Sequence, residues 1–112
     1  MANKIKYTGI FEKYYKRYSK KYRSLSDDLQ QLEKQLIENP TLGIYLGDGL
    51  YKIRLAVKSK SKGKSGGFRV ITYFILDNDI DSDINLVIIY DKSDIEDIPK
   101  NELLKIVREI LS

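Results

Sequence analysis

A change of hydrophobic period near residue 43 constrains this chain more than any other feature. Up to residue 38 the apolar positions recur at helical spacing, and beyond Gly43, Gly47 and Gly49 they alternate with period two. A segment built for one period cannot bury its apolar face in the other conformation. The chain must therefore lay helices on a sheet. In the first part Phe11, Tyr14, Tyr15, Tyr18 and Tyr22 fall at i, i+3, i+4, i+7 and i+11, one face of an amphipathic helix with lysines and Arg17 opposite. A tyrosine stripe at this spacing reads as core. Leu25, Leu29, Leu32 and Leu36 mark a second helix, with Ser24 and Asp27 resembling a capping box at its start. Asn39-Pro40 stops it, because the residue before proline is pushed out of helical conformation. So short a connection makes the two helices an antiparallel hairpin. Lys4 to Thr8, with Ile5 and Tyr7 alternating around Lys6, reads as a short edge strand.

In Tyr51 to Val57 the residues Ile53, Leu55 and Val57 point one way and Lys52, Arg54 and Ala56 the other, a strand with one buried face. Phe68 to Leu76 and Leu86 to Tyr90 are nearly continuous in Val, Ile, Phe and Tyr, as expected of inner strands. The intervals Lys58 to Gly67 and Asp77 to Asn85 read as hairpin connections. Pro99 suits a first helical position, and Leu103, Leu104, Val107, Ile110 and Leu111 form the stripe of a closing helix. The expected order is β-α-α-β-β-β-α, an α+β fold with helices packed on an antiparallel sheet. At 112 residues the chain is expected to form one domain, 1–112, with one modest core.

The chain contains no histidine and no cysteine. Ser-His-Asp and Cys-His catalysis, Cys-ligated zinc and disulfide scaffolds are thereby excluded. An enzyme of this composition must work with Lys, Arg, Tyr, Asp or Glu. No apolar run reaches the length of a membrane span, and Met1 to Lys13 is too polar for a signal peptide, so the expectation is a cytoplasmic protein. The net charge of +4 hides a division: residues 49–76 carry seven basic groups and no acidic one, and residues 77–97 carry eight acidic groups and only Lys92. A 28-residue basic stretch suits a phosphate-binding surface, or simply a solvated lysine loop.

Hairpin geometry turns this into a site. With position 76 opposite 85, Arg69 opposes Lys92 and Ile71 opposes Tyr90; with Val57 opposite Phe68, Arg54 opposes Ile71 and Lys52 opposes Tyr73. Opposed residues share a face, so Lys52, Arg54, Arg69, Tyr90 and Lys92 are expected to converge. The set reads either as a phosphate-handling pocket or as ordinary polar residues on a solvated sheet face. The run Asp77 to Asp83 is not an EF-hand, since the sixth position is Ser82 and the twelfth Ile88, and it reads as an acidic hairpin tip. Gly63, Gly66 and Gly67 fit no nucleotide-binding fingerprint.

Three stretches together are more specific: Gly49-Leu50-Tyr51-Lys52-Ile53-Arg54-Leu55-Ala56, then Lys62-Gly63-Lys64-Ser65-Gly66-Gly67-Phe68-Arg69-Val70-Ile71, then Ile89-Tyr90-Asp91-Lys92. In this order they resemble the RelE/ParE superfamily of type II toxins, most closely its HigB-like branch. The resemblance implies a ribosome-dependent endoribonuclease in which the ribose 2′-hydroxyl of messenger RNA attacks the adjacent phosphate, with no cofactor and no metal. By that resemblance Lys52 or Arg54 would contact and activate the scissile region, and Arg69 would stabilise the phosphate. Tyr90 would stack on or orient the nucleotide, and Lys92 would donate a proton or add a second cation. Lys58, Lys60, Lys62 and Lys64 would grip RNA phosphates. The general base is open between a lysine and Asp91. The implied partners are the ribosome, messenger RNA and a cognate antitoxin, a HigA-like helix-turn-helix protein. Two other readings are a ParE-like gyrase inhibitor without nuclease activity and a non-catalytic RNA- or ribosome-binding module.

Overall fold

A computed structural model describes residues 2–60, 67–76 and 81–111. Lys62, Lys64 and the tip of the acidic run, 77–80, lie outside the described residues. The elements are β1 (Ala2–Tyr7), α1 (Gly9–Lys21), α2 (Leu25–Glu38), β2 (Ile44–Gly47), β3 (Leu50–Leu55), β4 (Phe68–Leu76), β5 (Asp81–Asp91) and α3 (Lys100–Leu111). They form one sheet in the order β1-β5-β4-β3-β2. The α+β architecture is as expected, with three differences.

First, β1 pairs parallel to β5, with Ile5 beside Ile84, so the sheet is mostly rather than wholly antiparallel. Secondly, β5 begins at Asp81, and the second half of the acidic run is strand rather than loop. Ser82 and Ile84 are buried there, held between β1 and β4. Thirdly, Ile44–Gly47 is an additional edge strand paired with β3 through a turn at Gly47, Asp48 and Gly49, all at positive φ. Gly49 is required twice over: φ is +83°, and a Cβ there would lie 2.8 Å from the Tyr73 ring.

The two faces of the sheet carry different layers. Phe11, Tyr18, Leu25, Leu29, Leu32 and Leu36 of α1 and α2 pack on Ile53, Leu55, Phe68, Val70 and Ile89. The tyrosine stripe is core, with Tyr18 and Tyr22 set edge-on to Phe68 at 4.9 and 5.3 Å. On the other face Leu103 and Val107 of α3 cover Leu50, Ile71, Ile88 and Tyr90. The helix starts differ from a simple reading. Ser24 is itself helical and accepts no helix amide; its hydroxyl donates to Asp28 at 2.7 Å, and Asp28 in turn accepts the Lys58 amide. Tertiary partners, not a capping box, occupy these side chains. The α2 stop at Glu38 falls where Asn39-Pro40 requires it.

β5 does not alternate regularly. Ile71 faces Ile88 but Thr72 faces Leu86, so Val87 is an extra residue, a β-bulge that switches the phase of the strand. Its carbonyl, which the ladder leaves aside, accepts from the Thr8 hydroxyl at 2.7 Å. The same hydroxyl oxygen accepts from the Phe11 amide at 2.9 Å and so caps α1. One threonine thus closes the bulge and starts the helix. Thr8→Ala is expected to lower stability by about 1–2 kcal/mol, at the upper end for a lost cap because a buried carbonyl also loses its donor. Thr8→Ser should recover most of it in urea denaturation.

Candidate functional site

The three central strands bring the cationic residues of one face into adjacent rows. Arg54 stands opposite Arg69 across β3 and β4, and Arg69 stands opposite Tyr90 across β4 and β5. One row further along, Lys52 stands opposite Ile71. The expected pairings of Arg69 with Lys92, Ile71 with Tyr90, Arg54 with Ile71 and Lys52 with Tyr73 are each displaced by two residues: β3–β4 closes two residues from a symmetric loop, and β4–β5 closes three away, with the Val87 bulge restoring one. An even displacement keeps every residue on its face. Lys92 continues the line beyond β5, its amide donating to the Gly67 carbonyl at 3.2 Å, and its side chain is exposed.

This row is electrostatically unbalanced. Two arginines directly opposite each other repel. Among the described residues neither forms an ion pair within 4 Å; the buried Arg69 donates only to its neighbour's carbonyl, that of Phe68, at 3.3 Å. Arg54, Lys58, Lys60 and Arg69 line a groove of about 540 Å³ with Ala56 and Gly67 in its wall. Small residues there let an anion approach the backbone. A groove so lined has the charge to attract an anion.

Tyr90 ends the row. It is 1% exposed, and among the described residues nothing hydrogen-bonds its hydroxyl. Burial raises its pKa, the nearby Asp97 carboxylate adds to that, and Arg69 opposes both. It faces a cavity of about 340 Å³ walled by Leu46, Ile71, Ile98, Pro99 and Leu103, with Lys52 and Asp97 beside it. Lys52 and Asp97 form an ion pair at 3.0 Å. Hydrogen bonding and charge from Lys52, with the more distant Lys92 and Arg69, hold the Asp97 carboxyl below its usual range. Asp97 is the site residue that the sequence does not reveal. It lies in the acidic stretch and 45 positions from its partner, with no spacing to connect them.

Asp91 belongs to the other face. Its carboxylate accepts from Lys60, from the Ser93 amide and hydroxyl, and from Tyr22 at 3.3 Å. Burial alone would raise its pKa, but Lys60 and Ser93 outweigh burial and bring it below the usual value. As a general base for the opposite face it is turned away and already engaged. Lys60, with a largely buried side chain, spends its ammonium on Asp91 and Ser93 rather than on the open groove, and also lies 5.7 Å over the Phe68 ring. Lys58 is exposed, and with Ser59 it is pinned to α2 through Asp28 and Ser24. Residues 58–60 are therefore held from two sides, by α2 and by β5. Among the described residues no helix is long and apolar enough to cross a membrane.

The chain matches the family model described as "RelE toxin of RelE / RelB toxin-antitoxin system" over residues 4–110. Among solved structures it is similar to the E. coli toxin RelE, in a mutant with two arginine-to-alanine substitutions in the free state. The identity is 16%, the TM-score 0.57, and the match covers 86% of this chain and 90% of that one. At that identity the likeness is one of fold.

Two outcomes are expected of the isolated protein. Arg54→Gln should stabilise it at low salt by about 0.2–1 kcal/mol, by removing a like-charge pair, while abolishing any rise in Tm on adding phosphate. A calorimetric phosphate titration of both proteins checks this. Because the folded Asp91 has the lower pKa, its contribution is complete above the unfolded value of about 3.9 and is lost as pH falls through the folded one. The urea midpoint should therefore fall below pH 4, less steeply in Lys60→Gln.

Proposed function

The chain belongs to the RelE toxin family of toxin–antitoxin systems, and on that premise we propose that it is a ribosome-dependent endoribonuclease cutting translated messenger RNA. The observation that supports this most is the Arg54–Arg69–Tyr90 row, two arginines without an ion pair among the described residues and a buried phenol, on one sheet face. Cleavage needs little more from a protein whose substrate carries the nucleophile. The ribose 2′-oxygen attacks the adjacent phosphorus and gives up its proton, the bond from phosphorus to the 5′-oxygen breaks, and that oxygen takes a proton. The products are a cyclic 2′,3′-phosphate and a free 5′-hydroxyl.

In this scheme Arg69, with Arg54 across from it, stabilises the charge on the pentavalent phosphorane. Tyr90 orients the nucleotide, and Lys52 contacts the scissile region. Lys92 donates to the leaving oxygen or adds a cation. With Asp91 on the far face, the base is a lysine of the site face. Lys58 contributes an RNA contact, as do Lys62 and Lys64; Lys60 serves the loop's root instead. The reading takes 1–112 as one toxin domain acting in the cytoplasm. The Lys52-Ile53-Arg54 and Tyr90-Asp91-Lys92 stretches support a place in the HigB-like branch, and with it a HigA-like helix-turn-helix antitoxin. Its acidic segment would cover the basic 49–76 surface. The family match, to RelE, does not favour the gyrase-inhibitor reading.

Expression in cells followed by mapping of 5′ ends should show codon-phased cuts confined to translated regions. DNA breaks linked to gyrase, with messages intact, would sink the proposal. Arg69→Ala and Tyr90→Phe should each lose toxicity by at least tenfold with the fold retained, since removing one transition-state donor commonly costs about 10²-fold or more. Full toxicity in both variants would leave the row a solvated surface.

A further inference from the structure

Tyr90 must meet the nucleotide, yet it is buried under the segment that joins β5 to α3. Ile95 and Ile98 of that segment pack on the cluster that contains Tyr90, and Ile98 and Pro99 wall the cavity its ring faces. Leu103 and Val107 anchor α3 on the sheet, and Lys100 at its start pairs with Asp48 of the β2–β3 turn at 2.8 Å. Residues 92–95 are tied down by hydrogen bonds to Gly67, Asp91 and Tyr18, so the part that can lift is 96–99, and there Asp97 reaches across to Lys52 on β3 at 3.0 Å. The Asp97 side chain is 70% exposed. Exposed ion pairs contribute little and are screened by salt, so this one is easily exchanged for a better anion. A phosphate held by Arg54 and Arg69 would be such an anion, one row from Lys52.

Resting on the RNA reading above, we propose that Asp97 is a resident counter-ion of this site: it occupies Lys52 and holds the 96–99 segment over Tyr90 until an RNA phosphate takes Lys52 from it. Asp97 is a positioning residue in this role. It touches no reacting atom, and it sets both the charge that incoming RNA meets and the access of the nucleotide to the phenol. The same carboxylate would weaken binding of stray polyanions, because any anion must first displace it.

Full-length wild type, Asp97→Asn and Lys52→Gln test this with two readouts. One is affinity for a short RNA carrying a 2′-deoxy residue at the cut site, so that it binds without being cleaved. The other is the rate at which tetranitromethane nitrates Tyr90, followed by peptide mass in a chain that has no cysteine to compete. Asp97→Asn should bind the RNA three- to tenfold tighter and nitrate at Tyr90 severalfold faster. Lys52→Gln should bind more weakly, yet also nitrate faster. Losing a nearby cation would by itself slow reaction of a phenol, so that faster rate reports exposure. Asp97→Asn binding no tighter than wild type, or unchanged nitration in Lys52→Gln, overturns the proposal.

Inorganic phosphate separates this outcome from failure of the nuclease reading. If none of the three proteins binds RNA, that reading falls. Faster nitration of wild-type Tyr90 on adding phosphate would still support the counter-ion, and no change would refute it.

Discussion

The site depends on a hydrogen bond made far from it, between the Thr8 hydroxyl and the Val87 carbonyl. Val87 is an extra residue, and an extra residue inverts the alternation of everything that follows it. Leu86 and Ile84 face α1 and α2, while Ile88 and Tyr90 face α3. Counting regularly from the Leu76–Ser82 pair would set Ile89, not Tyr90, opposite Arg69. The bulge is what brings a phenol to the end of an arginine row. It persists because the same threonine starts α1, so helix and strand fix each other.

Most of this architecture was legible in the sequence, for reasons tied to particular residues. Phe11, Tyr14, Tyr15, Tyr18 and Tyr22 show a helix face because burial there is one-sided and period 3.6 has no rival. Asn39-Pro40 is a local stop that no tertiary contact can overrule. β2 was illegible because its side chains give no burial signal: Ile44 and Tyr45 are 62% and 59% exposed on a sheet edge. The bulge was illegible because Leu86, Val87, Ile88 and Ile89 are all apolar, and a run without polar positions has no phase to read.

The site residues were found by parity, and parity survived a wrong register. The β3–β4 hairpin closes two residues from the symmetric register and the β4–β5 hairpin three, and the Val87 bulge restores one, so Lys52, Arg54, Arg69 and Tyr90 stayed on one face although each partner changed. A displacement by one would have dispersed them. Asp91 and Asp97 show the limit of counting charges. The first lies next to Tyr90 in sequence but on the opposite face, serving Lys60; the second lies in the acidic segment but beside the cations, serving Lys52.

The arginine row also ties occupancy to lifetime. A fold that sets Arg54 against Arg69, with no ion pair to either among the described residues, is relieved electrostatically when an anion binds between them. Any anion that binds only the folded form therefore raises its stability by mass action, whether it comes from RNA or from a protein carboxylate. The free molecule is then the form most open to unfolding and proteolysis. A partner that seats a carboxylate there would act as a preservative as well as an inhibitor, and its removal would start a clock on the protein it releases.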